Sequence, residues 1–177
     1  MPKKIRKMLG AADSPYIISL MCLIETQSKA TIASWCMDYC ELHILPIYEK
    51  HCPCDDRPRL AIAAARDWFD GKKKLPEVKN IILHECHAAA RELDDNPAAQ
   101  AAARACGQAS ACFHTLTHSL GLAFYGTAAI AYDRVGLDET PEVYDQIAAE
   151  ECAKMEAALR AVAMENEPNP AKINWNC

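Results

Sequence analysis

The chain has 177 residues, a net charge of −5 at pH 7, 51% hydrophobic residues and only 7% aromatic ones. Its length suits one domain with a real core. The negative balance speaks against a nucleic-acid binder, which usually carries a basic face, and no apolar run approaches the ~20 residues of a membrane span.

Much of the hydrophobic share is alanine, the best helix former and the smallest helix-packing residue. Glycines are few, and no run alternates Val, Ile and Thr as a half-buried strand would. These features predict an all-α, single-domain bundle of about seven helices covering residues 1–177. No fixed repeat period is visible.

The chain opens with a basic segment, residues 1–13, containing "MPKKIRK". The run "YIISLMCLI" that follows superficially looks like a secretion signal. Asp13, Ser14 and Pro15 interrupt it, however, and no small-x-small cleavage pattern follows. Proline then punctuates the chain in "DSPYIIS", "DDRPRLA", "KLPEVKN", "DNPAAQA" and "ETPEVYD". In a helix's first turn its missing N–H costs nothing, and a preceding polar residue can cap the free amides. Asn96 before Pro97 and Thr140 before Pro141 are the clearest such caps.

The predicted helices run from Pro15 to Thr26, Ser28 to Lys50 with a bend near Pro46, Pro58 to Asp70, Pro76 to Leu93, Pro97 to Phe113, His118 to Val135, and Pro141 to Met164. Gly71 and Gly136 fit left-handed helix stops. The tail, residues 166–177, is not helical, and its Ile173 and Trp175 predict docking on the body.

Ten cysteines are spread along the chain. Reduced cysteine packs as a small buried hydrophobe. "CPCDD" (Cys52 to Asp56) lacks zinc spacing, and no C-x-x-C pair occurs. A reducing cytoplasm is the expected setting, with no metal and no cofactor.

The fourth helix, containing "HECHAAAREL", carries the first candidate chemistry. At 100° per residue Leu75, Val78, Ile82, Cys86, Ala89 and Leu93 form an apolar stripe. Asn80, His84, His87 and Arg91 fall together on the opposite side. That polar side lacks a carboxylate, so it is either a solvated strip or a cleft wall for an anion or acidic side chain.

The next segment adds Arg104 and Gln108 on one face, then His114 and His118 across a helix break at Leu116 and Thr117. Arg59 and Arg66 share a face of the third helix, with Arg66 spaced to pair with Asp70 and with Trp68 turned toward the core. The sixth helix has small residues at Gly121, Ala123, Gly126 and Ala128 for close packing. Its Tyr125 is a candidate cleft hydroxyl. No phosphate loop, nucleophile elbow or dinucleotide fingerprint occurs. The segment from Asp138 to Glu167 is strongly acidic.

The stretches "RPRLAIAAARDWFDGK", "HAAAREL", "AAARACGQASACFHTLTHSLGLAFYG" and "PAKINWNC" resemble the immunity-five-like group of bacterial immunity proteins, associated with polymorphic toxin systems. The likeness is clearest over Asp56 to Tyr132. Arg59, Arg66, Trp68, His87, Arg91, Arg104, His114 and His118 match the recurring pattern, and Gln108 stands where a polar residue is expected. The resemblance implies a small intracellular helical protein that neutralises a toxin without catalysis.

Two uses of the surface follow. A cognate toxin would meet the acidic last helix at Asp145, Glu151 and Glu156. Alternatively, an anionic, nucleotide-like small molecule would sit in a groove lined by Arg59, Arg66, His87, Arg91, Arg104, Gln108, His114, His118 and Tyr125. A metal-dependent enzyme built on the histidines is a distant third reading. No nucleic-acid or membrane partner is expected, and the small-residue helix faces permit a homo-oligomer.

Overall fold

A computed structural model describes residues 5–175. Among them seven helical rods occur and no strand. We number the rods α1 (Pro15–Ile24), α2 (residues 29–51), α3 (Arg57–Phe69), α4 (residues 75–91), α5 (Pro97–Ala111), α6 (His118–Val135) and α7 (Pro141–Val162). Several end one or two residues before the sequence predicts, the usual margin for fraying ends.

Proline lies in the first turn of α1, α3, α4, α5 and α7. Asn96 caps α5 as expected, its Oδ1 accepting from the Ala99 N–H at 3.2 Å. Thr140 occupies the cap position of α7, but its side chain makes no cap bond. The chain leaves α3 and α6 through Gly71 and Gly136, both at φ 72°.

Rods α2 and α4 each contain a π-helical turn. In α2 it is Cys40–Ile44, between Lys29–Tyr39 and Leu45–His51. Pro46 has no N–H to give to the residue four before it, and the turn ahead of it widens so that the Leu45 N–H reaches the Cys40 carbonyl. The predicted bend is therefore a bulge. In α4 the π turn is Ile82–Cys86, between Leu75–Ile81 and His87–Arg91, with the His87 N–H on the Ile82 carbonyl. No proline marks this second bulge.

Helix α5 is the centre of the packing. Ala99, Ala102, Ala103, Ala105 and Cys106 are fully inaccessible. α6, α4, α3 and α2 all lie against it. Alanine makes this possible, because a helix with almost no side-chain bulk can be approached closely from several sides. α7 packs on α1, α6 and α2, where the Trp35 Nε1–H donates to the Met155 carbonyl at 3.1 Å.

The tail docks as predicted. The Ala171 N–H donates to the Gln27 carbonyl at 2.8 Å, and the Trp175 Nε1–H to Glu25 at 2.5 Å. Of the basic N-terminal segment, residues 1–4 lie outside the described residues, as do Asn176 and Cys177. Arg6 pairs with Asp145 at 2.8 Å.

The nine described cysteines are free thiols. Cys36, Cys40, Cys86, Cys106, Cys112 and Cys152 are buried, whereas Cys22 and Cys54 are exposed. The Cys40 thiol donates to Cys106 Sγ at 3.4 Å in the core between α2 and α5.

Candidate binding cavity

The apolar stripe of α4 faces inward as the wheel predicts, with Val78, Ile82, Cys86 and Ala89 buried. Its polar side does not stay together. Asn80, His84 and Arg91 are exposed, while His87 is half-buried and turned toward α5. The π turn accounts for the parting of His84 and His87, while Arg91 is exposed at the end of the rod. The turn inserts a residue into the ladder, so positions after Cys86 are rotated relative to a regular 3.6-residue wheel.

His87 enters a gap that only glycine leaves. A Cβ at Gly107 would stand 2.5 Å from its Cε1. One residue on, Gln108 lies against Gly121 of α6, where a Cβ would stand 2.5 Å from its Cγ. Arg104 and Gln108 are the half-buried positions of an otherwise buried stretch from Ala98 to Ala111.

The connection after α5 is irregular, as the predicted break required. The His114 N–H bonds the Ala111 carbonyl at 3.2 Å, and the His118 N–H the Thr115 carbonyl at 3.1 Å. The two imidazole centroids are 5.9 Å apart. Phe113 anchors the segment by stacking on Trp68 at 4.4 Å.

His87, His114 and His118 thus meet, from three elements, around a cavity of about 190 Å³. Ile82, Leu83, Ala111 and Lys79 complete its wall. Sequence reasoning missed Lys79 as a lining residue, because a regular wheel does not bring it to the side of His87. Leu83 is half exposed, at 53%.

All three imidazoles are held neutral at pH 7. Burial pushes His87 down, and Arg91, His118 and Arg104 add to the effect. Burial, with Lys79, His118 and Lys29, lowers His114 to about 4. Burial alone lowers His118. The His118 Nδ1 is buried without a hydrogen-bond partner, and His114 Nδ1 lies 2.7 Å from Thr115 Oγ1. Neutral rings offer donors and acceptors but no charge. Among the described residues no group of three or more His, Cys, Asp or Glu is arranged to hold a metal.

The arginines predicted for the same groove are elsewhere. Arg59 grips Glu49 of α2 through two bonds of 2.6 and 2.9 Å. Arg66 bonds Asp38 at 2.8 Å and Glu41 at 2.6 Å, not Asp70, which takes Lys72 at 2.6 Å. The α3–α2 contact offers Arg66 two carboxylates where its own helix offers one. Arg91 reaches toward the Leu83 carbonyl at 3.5 Å, the limit of a hydrogen bond. Arg104 sits 5.8 Å over the Tyr125 ring and lines a separate cleft of about 220 Å³.

The three α7 acids predicted to meet a toxin, Asp145, Glu151 and Glu156, each pair with a cation of their own chain. Asp145 pairs with Arg6, and Glu156 with Arg160 at 2.5 Å. Buried Glu151 receives Arg134 at 2.5 Å and Lys154 at 2.7 Å. No helix of the described residues is long and apolar enough to cross a membrane.

No curated protein and no solved structure matches this chain. Residues 22–158 match a family model described as "Imm-5 like putative immunity protein". That span contains every element of the cavity and most of the core, well beyond the stretch where the sequence resemblance is clearest. On this match the chain belongs to the Imm-5 like family of immunity proteins.

Proposed function

We propose that the protein neutralises a cognate bacterial toxin in the cytoplasm by binding it, without chemistry of its own. In this reading the histidine-lined cavity receives one anchoring side chain of the toxin. Family membership supplies the class of partner. The observation that carries the surface is the cavity's size beside the exposure of its lip. About 190 Å³ falls below the roughly 300–1,000 Å³ of ordinary small-molecule sites. It does accommodate a single large side chain, the form in which interfaces concentrate affinity.

Leu83 at the lip and three neutral imidazoles at the wall suit an apolar residue with a polar tip. The geometry favours this reading over a nucleotide-like ligand, because Arg91 and Arg104 do not line the cavity. The net charge of −5 would steer a basic toxin toward the chain. Asp145, Glu151 and Glu156 act in that role as charges already paired within the chain rather than as bare contact groups.

Co-expression of the chain with any toxin-like protein encoded near its gene, in a sensitive bacterial host, tests the reading. Survival with the native chain and its loss with Leu83→Asp, at unchanged folding, are the expected results. Full protection by Leu83→Asp and His118→Ala would remove the cavity from the interface. Loss of protection on charge reversal at Asp145 and Glu156 alone would move the contact to α7. If the native chain protects against no such toxin, the immunity reading itself fails.

A further inference from the structure

A groove of about 680 Å³ lies on a different face. It lies between the π turn of α2, the second half of α6 and the second half of α7. Its volume is within the range of drug-sized ligand sites. Tyr39 and His43 form one wall, with ring centroids 4.4 Å apart. Ile47, Ile130 and Ala158 supply apolar surface.

Glu151 lies beneath the polar end, only 4% exposed. A buried carboxylate needs partners, and this one takes two on a single oxygen. Arg134 Nη2 and Lys154 Nζ both donate to Oε1. Both cations are thereby fixed at the groove, and neither spends more than a fraction of its donors: guanidinium has five N–H groups and ammonium three. Two cations against one carboxylate leave a positive excess there. Asp133, at the edge, is already engaged by Lys50 and His51, each at 2.8 Å. π turns recur at functional sites, and here the turn carries His43 to the groove mouth.

We propose that this groove binds a free organic anion with a flat apolar body, an aromatic carboxylate being the simplest case. The carboxylate bridges the unused donors of Arg134 and Lys154, as planar charge-assisted pairs do. The ring lies along Tyr39 and His43, over Ile47 and Ile130. The toxin reading places its anchor in the histidine cavity and draws on this groove only through the net charge that Glu151 shares, so the proposal stands or falls independently of that cavity.

The test is a titration of the full-length, 15N-labelled chain with 2-naphthoate, against its neutral isostere 2-naphthamide. Saturable shifts confined to the surroundings of Tyr39, His43, Arg134 and Lys154 are expected for 2-naphthoate. The amide should bind at least tenfold more weakly, which corresponds to about 1.4 kcal/mol. Lys154→Gln keeps Arg134 on Glu151 and should weaken the acid about tenfold while leaving the amide unchanged. Equal binding of acid and amide, shifts mapping to another face, or no saturable shift at millimolar concentration would each overturn the proposal. Should Lys154→Gln fail to fold, the comparison of acid with amide on the native chain decides alone.

Discussion

The imidazole of His87 and the α-carbon of Gly107 are in such close contact that a single methyl group cannot be placed between them. A Cβ at Gly107 would fall 2.5 Å from Cε1 and 2.9 Å from both ring nitrogens. This pair locks the inward rotation of α4 against the central helix, and with it one wall of the histidine cavity.

Gly107→Ala should therefore expel His87 rather than merely crowd it. Helix propensity favours alanine by about 1 kcal/mol, while overpacking costs about 1–3 kcal/mol. A net loss of roughly 1 kcal/mol is expected, together with a large change in the His87 ring signals. Gly121→Ala meets the stem of Gln108, with Cγ at 2.5 Å and Cβ at 2.8 Å, which no rotamer change clears, and should cost at least as much. Denaturant melts and imidazole NMR of both variants check this; an unmoved His87 in Gly107→Ala would refute the contact.

The three depressed histidines set an acid-labile window. Each is neutral when folded, and its unfolded value is near 6.5. Between the folded and unfolded values the unfolded chain binds more protons, so stability rises with pH there and falls as pH drops. With His114 at about 4, loss of stability should begin near pH 6.5 and continue to about pH 4. His114→Gln should flatten part of this slope. A stability profile with no slope in the window, or an unaltered one in the variant, would contradict the assigned burial.

Arg57 is a structural arginine the sequence did not single out. It bonds Asp55 at 2.7 Å and Glu92 at 2.7 Å, tying the start of α3 to the end of α4. Asp55, held down to about 2 chiefly by Arg57, also accepts from Tyr48 at 2.7 Å. Arg57→Ala should cost about 1–2 kcal/mol, because Asp55 loses its main partner. Arg59→Ala removes a more exposed pair and should cost under about 1 kcal/mol. Equal losses in thermal melts would mean that the network is not cooperative.

The thiols should divide by accessibility. Burial pushes Cys36 and Cys86 well up from the ordinary thiol range, and the hydrogen bond with Cys40, then burial, does the same to Cys106; only thiolates react readily. Alkylation of the native chain, mapped by mass spectrometry, should label Cys22 and Cys54 quickly. Cys36, Cys40, Cys86, Cys106 and Cys112 should be labelled only after unfolding. Early labelling of Cys40 or Cys106 would show that the core opens far more often than its packing implies.

Local chemistry was mostly legible where one turn of chain decided it, the Thr140 cap excepted. Prolines at helix starts, the Asn96 cap, the break between His114 and His118 and the inward stripe of α4 all depend on residues within a few positions of each other. The resemblance resting on the spaced Arg, Trp and His residues was legible for the same reason. The candidate site was legible only in part. His87, His114 and His118 converge, but Arg59 and Arg66 turn to carboxylates of α2 that lie far away in sequence. The π turn in α4 has no proline or glycine signal, so the wheel drawn from sequence held His84 with His87.

By itself the sequence determined the helical class, the order and approximate ends of the rods, and the identity of the apolar faces. Backbone sterics, capping and the 3.6-residue period act over short separations. Only the tertiary structure decided which polar groups share a site. A charged side chain takes the partner that packing places within reach, as Arg66 takes Asp38 and Glu41 and as Arg134 and Lys154 take Glu151. One inserted residue in a helical turn is enough to turn His87 from the side of His84 toward α5.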